Sequence, residues 1–121
     1  MCIRDSDLLD LIEATVDGTL SSADPVWDEG AAVCVVLASG GYPGPIEKGK
    51  PISGLTEGAT GGAVIFHAGT AEKDGQVVTN GGRVLGVTAT GVDLGEARDR
   101  AYAAATKIAF EGKQFRSDIG A

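Results

Sequence analysis

The residue whose setting first suggests chemistry is Arg83, in the stretch "TNGGRVLGVTATG" (79–91). It follows Gly81 and Gly82 and leads directly into a β-branched run. A guanidinium presents parallel N–H donors that match a phosphate or carboxylate in a two-point contact, which a lysine ammonium does not. Neighbours without Cβ atoms let a ligand's oxygens approach backbone amides. Asn80, Gly81, Gly82 and Arg83 therefore form a candidate anion site. The alternative is an ordinary turn whose arginine pairs with one of the 17 acidic residues. Regular alternation from the first strand residue places Arg83 on the same face as Leu85 and Val87. That position is costly for a charge unless it lies at the strand end and is paired.

Other residues carry weaker signals. "GYPGPIEKG" (41–49) offers Tyr42 and Lys48 on a glycine-proline loop that could cover a substrate, although such connectors are more often plain turns. It is no P-loop, because the Gly-Lys-Ser/Thr ending is missing. His67, the single histidine, has no partner pattern for a metal site, and a structural or supporting role is expected. No metal ligands are expected anywhere in the chain. Lys73, beside the Asp74-Gly75 turn, raises the idea of a biotinyl- or lipoyl-type carrier, but no methionine flanks it as biotin carriers usually show. Arg116 and Asp118 read as a local ion pair.

These residues need elements to hold them. "SDLLDLIEATVDG" (6–18) sets Leu8, Leu9, Ile12 and Val16 at helical spacing, with Ser6 as cap and Gly18 as stop. The spacing predicts a short helix that needs something to pack against. "AAVCVVLAS" (31–39) is a continuous apolar run and predicts a strand buried on both faces, with Cys34 as a small buried hydrophobe. "GAVIFHAG", the "KDGQ" turn, "QVVT", the "NGG" turn and "RVLGVTATG" predict an antiparallel meander. "DLGEARDRAYAAATKIAFEG" (93–112) predicts a helix with a capping-box start at Asp93 and Glu96. Its stripe is Leu94, Ala97, Ala101, Ala105 and Ile108, and its stop is Gly112. Strands followed by a covering helix define an α+β class.

Bulk properties limit the partners. The chain has 121 residues, enough for one domain or a domain with a remnant of its neighbour. Its net charge of −7 argues against nucleic acid or an anionic membrane surface, both of which need a basic face. No apolar run approaches the length of a membrane span, and no apolar leader follows a basic start, so a cytoplasmic location is expected. Cys2 and Cys34 do not make a disulfide framework.

Taken in order, "AAVCVVLASGGYPG", "EKGKPISGL", "VIFHAGT", "DGQVVTNGGRVLGVTATG", "DLGEARDRAYAAATKIAFEG" and "FRSDIG" resemble the C-terminal region of the phosphoribosylamine–glycine ligases, ATP-grasp enzymes of purine biosynthesis. The likeness runs from about Ser6 to Ala121. It implies that 6–22 is the last helix of the ATP-grasp lobe and 23–121 a substrate-facing C-terminal domain. Residues 1–5 do not match and are expected to be foreign. ATP and Mg2+ would then serve the full-length enzyme, held upstream, and the isolated chain is expected to be inactive. The implied reaction phosphorylates glycine with ATP, after which the amine of 5-phosphoribosylamine attacks to give glycinamide ribonucleotide, ADP and phosphate. Related purine-pathway enzymes hold a ribose 5-phosphate with a basic residue at this glycine corner, which here is Arg83. The chain departs from the family at Ile46, where a tyrosine is usual, and at Gln76, where a lysine is common. A carrier module and a ligand-free interaction domain are the alternatives.

Overall fold

The strongest β-forming run, Ala31–Ala38, alternates in burial along its first seven residues. Val33, Val35 and Leu37 are buried, while Cys34 and Val36 are exposed. A computed structural model, describing residues 7–121 and the backbone of residues 2, 3 and 6, shows why. In chain order the elements are β1 (Cys2–Ile3), β2 (Ser6–Asp7), α1 (Leu8–Val16), a 3-10 turn (Leu20–Ser22), β3 (Ala31–Ala38), α2 (Leu55–Ala59), β4 (Val64–His67), β5 (Thr70–Lys73), β6 (Gln76–Thr79), β7 (Arg83–Gly91) and α3 (Leu94–Lys107). Three strands form an antiparallel sheet in the order β3-β7-β4. Helix α3 covers one face of it, and among the described residues nothing covers most of the other. The expected burial of β3 on both faces, with Cys34 inside, is therefore corrected. An apolar run with one covered face buries only every second residue.

The α+β class and the antiparallel strands are as expected, but the connectivity is not a simple meander. β5 and β6 form a separate hairpin closed by Asp74 and Gly75, both at positive φ. β6 does not pair with β7; the chain crosses from the hairpin and β7 enters between β3 and β4. The expected third strand of a meander thus becomes the centre of another sheet.

Helix α3 packs through Ala97, Ala101, Ala104 and Ala105, all buried, against Val33, Val35, Leu37, Leu85, Val87 and Ala89. Such short side chains let a helix axis approach a sheet closely. Its start is a capping box: Asp93 Oδ1 accepts from Glu96 N at 2.8 Å, and Glu96 Oε2 accepts from Val92 N at 2.8 Å. Two expectations about this helix fail. Leu94 is half exposed. The helix ends at Lys107 and not near Gly112, since Ile108 turns extended and Ala109 exchanges backbone hydrogen bonds with Ser53. Gly54 makes that ending possible, as a Cβ there would lie 2.0 Å from the Lys107 carbonyl oxygen.

Helix α1 is capped by the Asp7 side chain, which accepts from Leu9 N at 2.9 Å, one residue later than the expected Ser6. It buries none of its residues, and Val16 is 82% exposed. The expectation that residues 1–5 are foreign falls largely on Met1, Arg4 and Asp5, which lie outside the described residues.

Candidate functional site

The face that α3 leaves open carries two cross-strand rows, Cys34–Thr88–Val64 and Val36–Gly86–Phe66. Val36 is 42% exposed and Phe66 48%. Gly86 between them leaves a gap where any larger side chain would stand. At the end of this face the ladder of β3 and β7 slips. Leu37 pairs with Leu85, but the next residue, Ala38, pairs with Arg83, so Val84 is the extra residue of a β-bulge. Val84 and Leu85 are consecutively buried as a result.

The bulge decides where Arg83 points. Regular alternation puts it on the core face beside Leu85; one inserted residue moves it to the opposite face. That expectation is corrected, and the cost of a charge on an apolar face does not arise. The Arg83 side chain is exposed and makes no hydrogen bond or ion pair among the described residues. In a chain with 17 acidic residues, an arginine without a carboxylate partner is informative. It borders two adjoining hollows, one of about 510 Å³ with Val36, Tyr42, Phe66 and Gly86, the other of about 450 Å³ with Val36, Tyr42, Gln114 and Arg116.

The glycine corner before Arg83 is anchored through its carbonyls. Ser39 Oγ donates to Gly81 O at 2.9 Å and Ser39 N to Gly82 O at 2.8 Å. Asn80 N donates to Gly69 O at 2.8 Å, and Gly69 and Gly81 meet backbone to backbone with no room for a Cβ at Gly69. The N–H groups of Gly81 and Gly82 have no partner among the described residues. Gly82 lies under the Tyr42 ring, and a Cβ there would come within 2.3 Å of Tyr42 Cδ2. Tyr42 is itself held from behind: its carbonyl accepts from Gln114 Nε2 at 2.9 Å, and Gln114 bridges to Ala38 through both backbone groups.

Of the expected site residues, the fold brings Arg83, Gly82 and Tyr42 to one place, with Gly81 and Asn80 forming the corner behind them. Lys48 is exposed and borders none of these hollows. Its neighbour Lys50, which sequence reasoning passed over, bonds Glu47 at 2.8 Å and Glu111 at 3.0 Å. Hydrogen bonds to Glu47 and then Glu111 raise the Lys50 ammonium pKa above its ordinary value, and Lys50 in turn lowers that of the Glu47 carboxyl. This pair of bonds ties the loop carrying Tyr42 to the turn at Glu111. Arg116 and Asp118 form the expected pair, through Nε to Oδ1 at 2.8 Å and Nη2 to Oδ2. Each holds the other in its charged form: the Asp118 carboxyl is pushed down and the Arg116 guanidinium up. His67 Nδ1 lies 3.0 Å from Thr70 Oγ1, a local contact at the start of the β5–β6 hairpin. Gln76 faces Lys73 across the hairpin end and is not among the residues lining the Arg83 hollows.

Other regions offer less. Another hollow, of about 730 Å³, lies at the far end of the sheet between Asp28, Glu29 and the start of α3; its arginine, Arg100, is bonded to Glu96 and to Thr90 O. Among the described residues no group of three or more His, Cys, Asp or Glu could hold a metal ion. No helix there is long and apolar enough to cross a membrane.

A helix-backed antiparallel sheet sets the chain among α+β domains, and its sequence narrows the class. Residues 32–121 match the family described as phosphoribosylglycinamide synthetase, C domain, and the chain belongs to that family. Among curated relatives, the phosphoribosylamine–glycine ligase of Agrobacterium fabrum is 51% identical over 115 residues, 95% of this chain and 27% of its own. That of Vibrio parahaemolyticus is 47% identical over 120 residues, 99% of this chain and 28% of its own. The crystal structure of the Thermotoga maritima phosphoribosylamine–glycine ligase superposes with a TM-score of 0.71 at 45% identity, covering 89% of this chain and 27% of that one. The chain thus spans a little over a quarter of the length of these relatives. The match bears out the family resemblance, and the carrier reading of Lys73 is not favoured.

Proposed function

We propose that this chain acts as the substrate-facing C-terminal domain of a ligase that joins glycine to 5-phosphoribosylamine, and that the Arg83 hollow holds the 5-phosphate of that substrate. The observation that carries the site is an exposed guanidinium without a partner, set beside the Gly82 amide, which borders the same hollow and also lacks a partner among the described residues. Together they supply charge-assisted donors for phosphate oxygens, while Tyr42, Val36 and Phe66 give the apolar wall and floor for a sugar.

The part played by these residues is binding and orientation. Fixing a remote phosphate supplies binding energy that sets the reacting amine in place elsewhere in the enzyme. ATP and Mg2+ would supply activation of the glycine carboxylate in the full-length enzyme. The donors around Arg83 are cationic and amide groups, which suit an anion and do not fit a magnesium ion, so the metal and nucleotide are assigned to the remainder of the enzyme. In the same reading α1, with no residue buried, packs on that remainder as the last helix of the ATP-grasp lobe, residues 23–121 form the domain proper, and the setting is cytoplasmic.

In an intact ligase carrying this domain, Arg83→Ala is expected to raise KM for phosphoribosylamine, or lower kcat/KM, roughly 10- to 100-fold, with little change in KM for ATP or glycine. This follows from about 1.5–3 kcal/mol for a hydrogen bond to a charged group. Equal losses for all three substrates would contradict the assignment. The chain alone is expected to show no glycine-dependent ATP hydrolysis.

A further inference from the structure

Arg116, in the C-terminal segment, lines the second of the two adjoining hollows that Arg83 borders. The extended C-terminal segment reaches this place because Gln114 pairs with Ala38 at the end of β3, and because Tyr102 Oη donates to Arg116 O at 2.7 Å. Its guanidinium is not free to wander: Asp118, two residues on, takes Nε–H and one Nη2–H in a two-point contact. A guanidinium has five N–H groups, so three remain, two of them side by side (one on Nη1, one on Nη2) on the end that Asp118 does not use. A guanidinium orientated by a carboxylate on one edge can present the other edge to an anion with less loss of side-chain freedom than an unrestrained arginine.

We propose that Arg116 is a second anion-binding residue of this hollow, contributing a fixed donor fork that Asp118 orients, and that a phosphate monoester is held between it and Arg83. This rests on the reading of the Arg83 hollow as a phosphate site. The Asp118 charge nearly cancels that of Arg116, so the contribution lies in directed hydrogen bonds, with Arg83 supplying the net positive charge.

The test is a titration of the 121-residue chain with ribose 5-phosphate, for the parent, Arg83→Ala, Arg116→Ala and Arg116→Lys, with thermal unfolding recorded for each. The contacts that shape the segment run through the Arg116 carbonyl and Gln114, so both Arg116 variants are expected to unfold at the parent temperature. Affinity is expected to fall about 5- to 10-fold in Arg116→Ala. Arg116→Lys is expected to recover less than half of that loss, since an ammonium cannot hold Asp118 and offer a planar fork together. Parent-like affinity in Arg116→Ala, or full recovery with lysine, overturns the oriented fork and leaves the Arg83 reading intact. No binding by the parent chain, or parent-like binding by Arg83→Ala, overturns the Arg83 reading and this inference with it.

Discussion

The two faces of the β3-β7-β4 sheet are built from the same strands and differ in what covers them. On the face under α3, Val35, Leu37, Leu85 and Val87 are completely buried against a row of alanines. On the other, Val36 and Phe66 remain about half exposed around the gap at Gly86, and Arg83 stands at the end. One face holds the domain together. The other keeps a wall, a floor and a cation accessible, and the bulge at Val84 is the device that assigns Arg83 to it. An inserted residue in a strand can therefore matter more to a site than the identity of its neighbours.

The sharpest way to break that division is to truncate one residue from each face. Leu37→Ala is expected to cost about 2–5 kcal/mol in denaturant unfolding, the range for deleting a fully buried leucine. Val36→Ala, one position away on β3, is expected to cost under about 1 kcal/mol. Similar losses at both would mean that the open face is not open. A smaller structural effect comes from Gly82→Ala. Its Cβ would overlap the Tyr42 ring, which can swing aside, so stability is expected to fall by no more than about 1 kcal/mol. Ribose 5-phosphate affinity is expected to fall severalfold as the wall of the hollow moves. Unchanged affinity would remove Tyr42 from the site.

The mildest effect concerns the tie at Lys50. The Glu47 carboxyl pKa is depressed in the fold, so its contribution is present above its ordinary value of 4.5 and is lost as pH falls through the lowered one. That of Lys50 is raised, so its contribution is full below 10.5 and is lost as pH rises through the raised value. Between these limits the loop bearing Tyr42 is expected to show a constant amide protection factor (exchange relative to the intrinsic rate at each pH), with lower protection at acid pH and at high salt. Because these groups meet water, the change in global stability is expected to be slight. A loop whose protection factor ignores pH and salt would show that the ion pairs do not hold it.

Much of this was legible from the residues. The helix at Asp93, the Asp74-Gly75 hairpin and the strand at Ala31 follow from capping, turn chemistry and β-branched runs, which act locally. What was not legible depends on partners far along the chain. An apolar run such as "AAVCVVLAS" reads the same whether its second face is covered or open. The centre of the sheet went to β7 because pairing is decided by packing and not by hairpin proximity. The helix end moved from Gly112 to Lys107 because Ser53 competes for the backbone of Ala109. For the site, the glycine corner and its arginine were visible as a pattern, and Tyr42 as a loop residue. The facing of Arg83 was not, since a bulge leaves no mark in alternation. The place of Arg116 was hidden for a related reason: "FRSDIG" shows the pairing with Asp118 but not the strand end that carries it to the hollow.

The most direct measurement is an amide-resolved NMR titration of the chain with ribose 5-phosphate, observing the Arg83 Nε–H as well. The largest shifts are expected at the Gly81 and Gly82 amides, at the Arg83 side chain and around Tyr42, saturating together and absent in Arg83→Ala. Shifts centred on the Asp28–Arg100 end of the sheet, or none at the glycine corner, would contradict the assignment of this arginine to a phosphate.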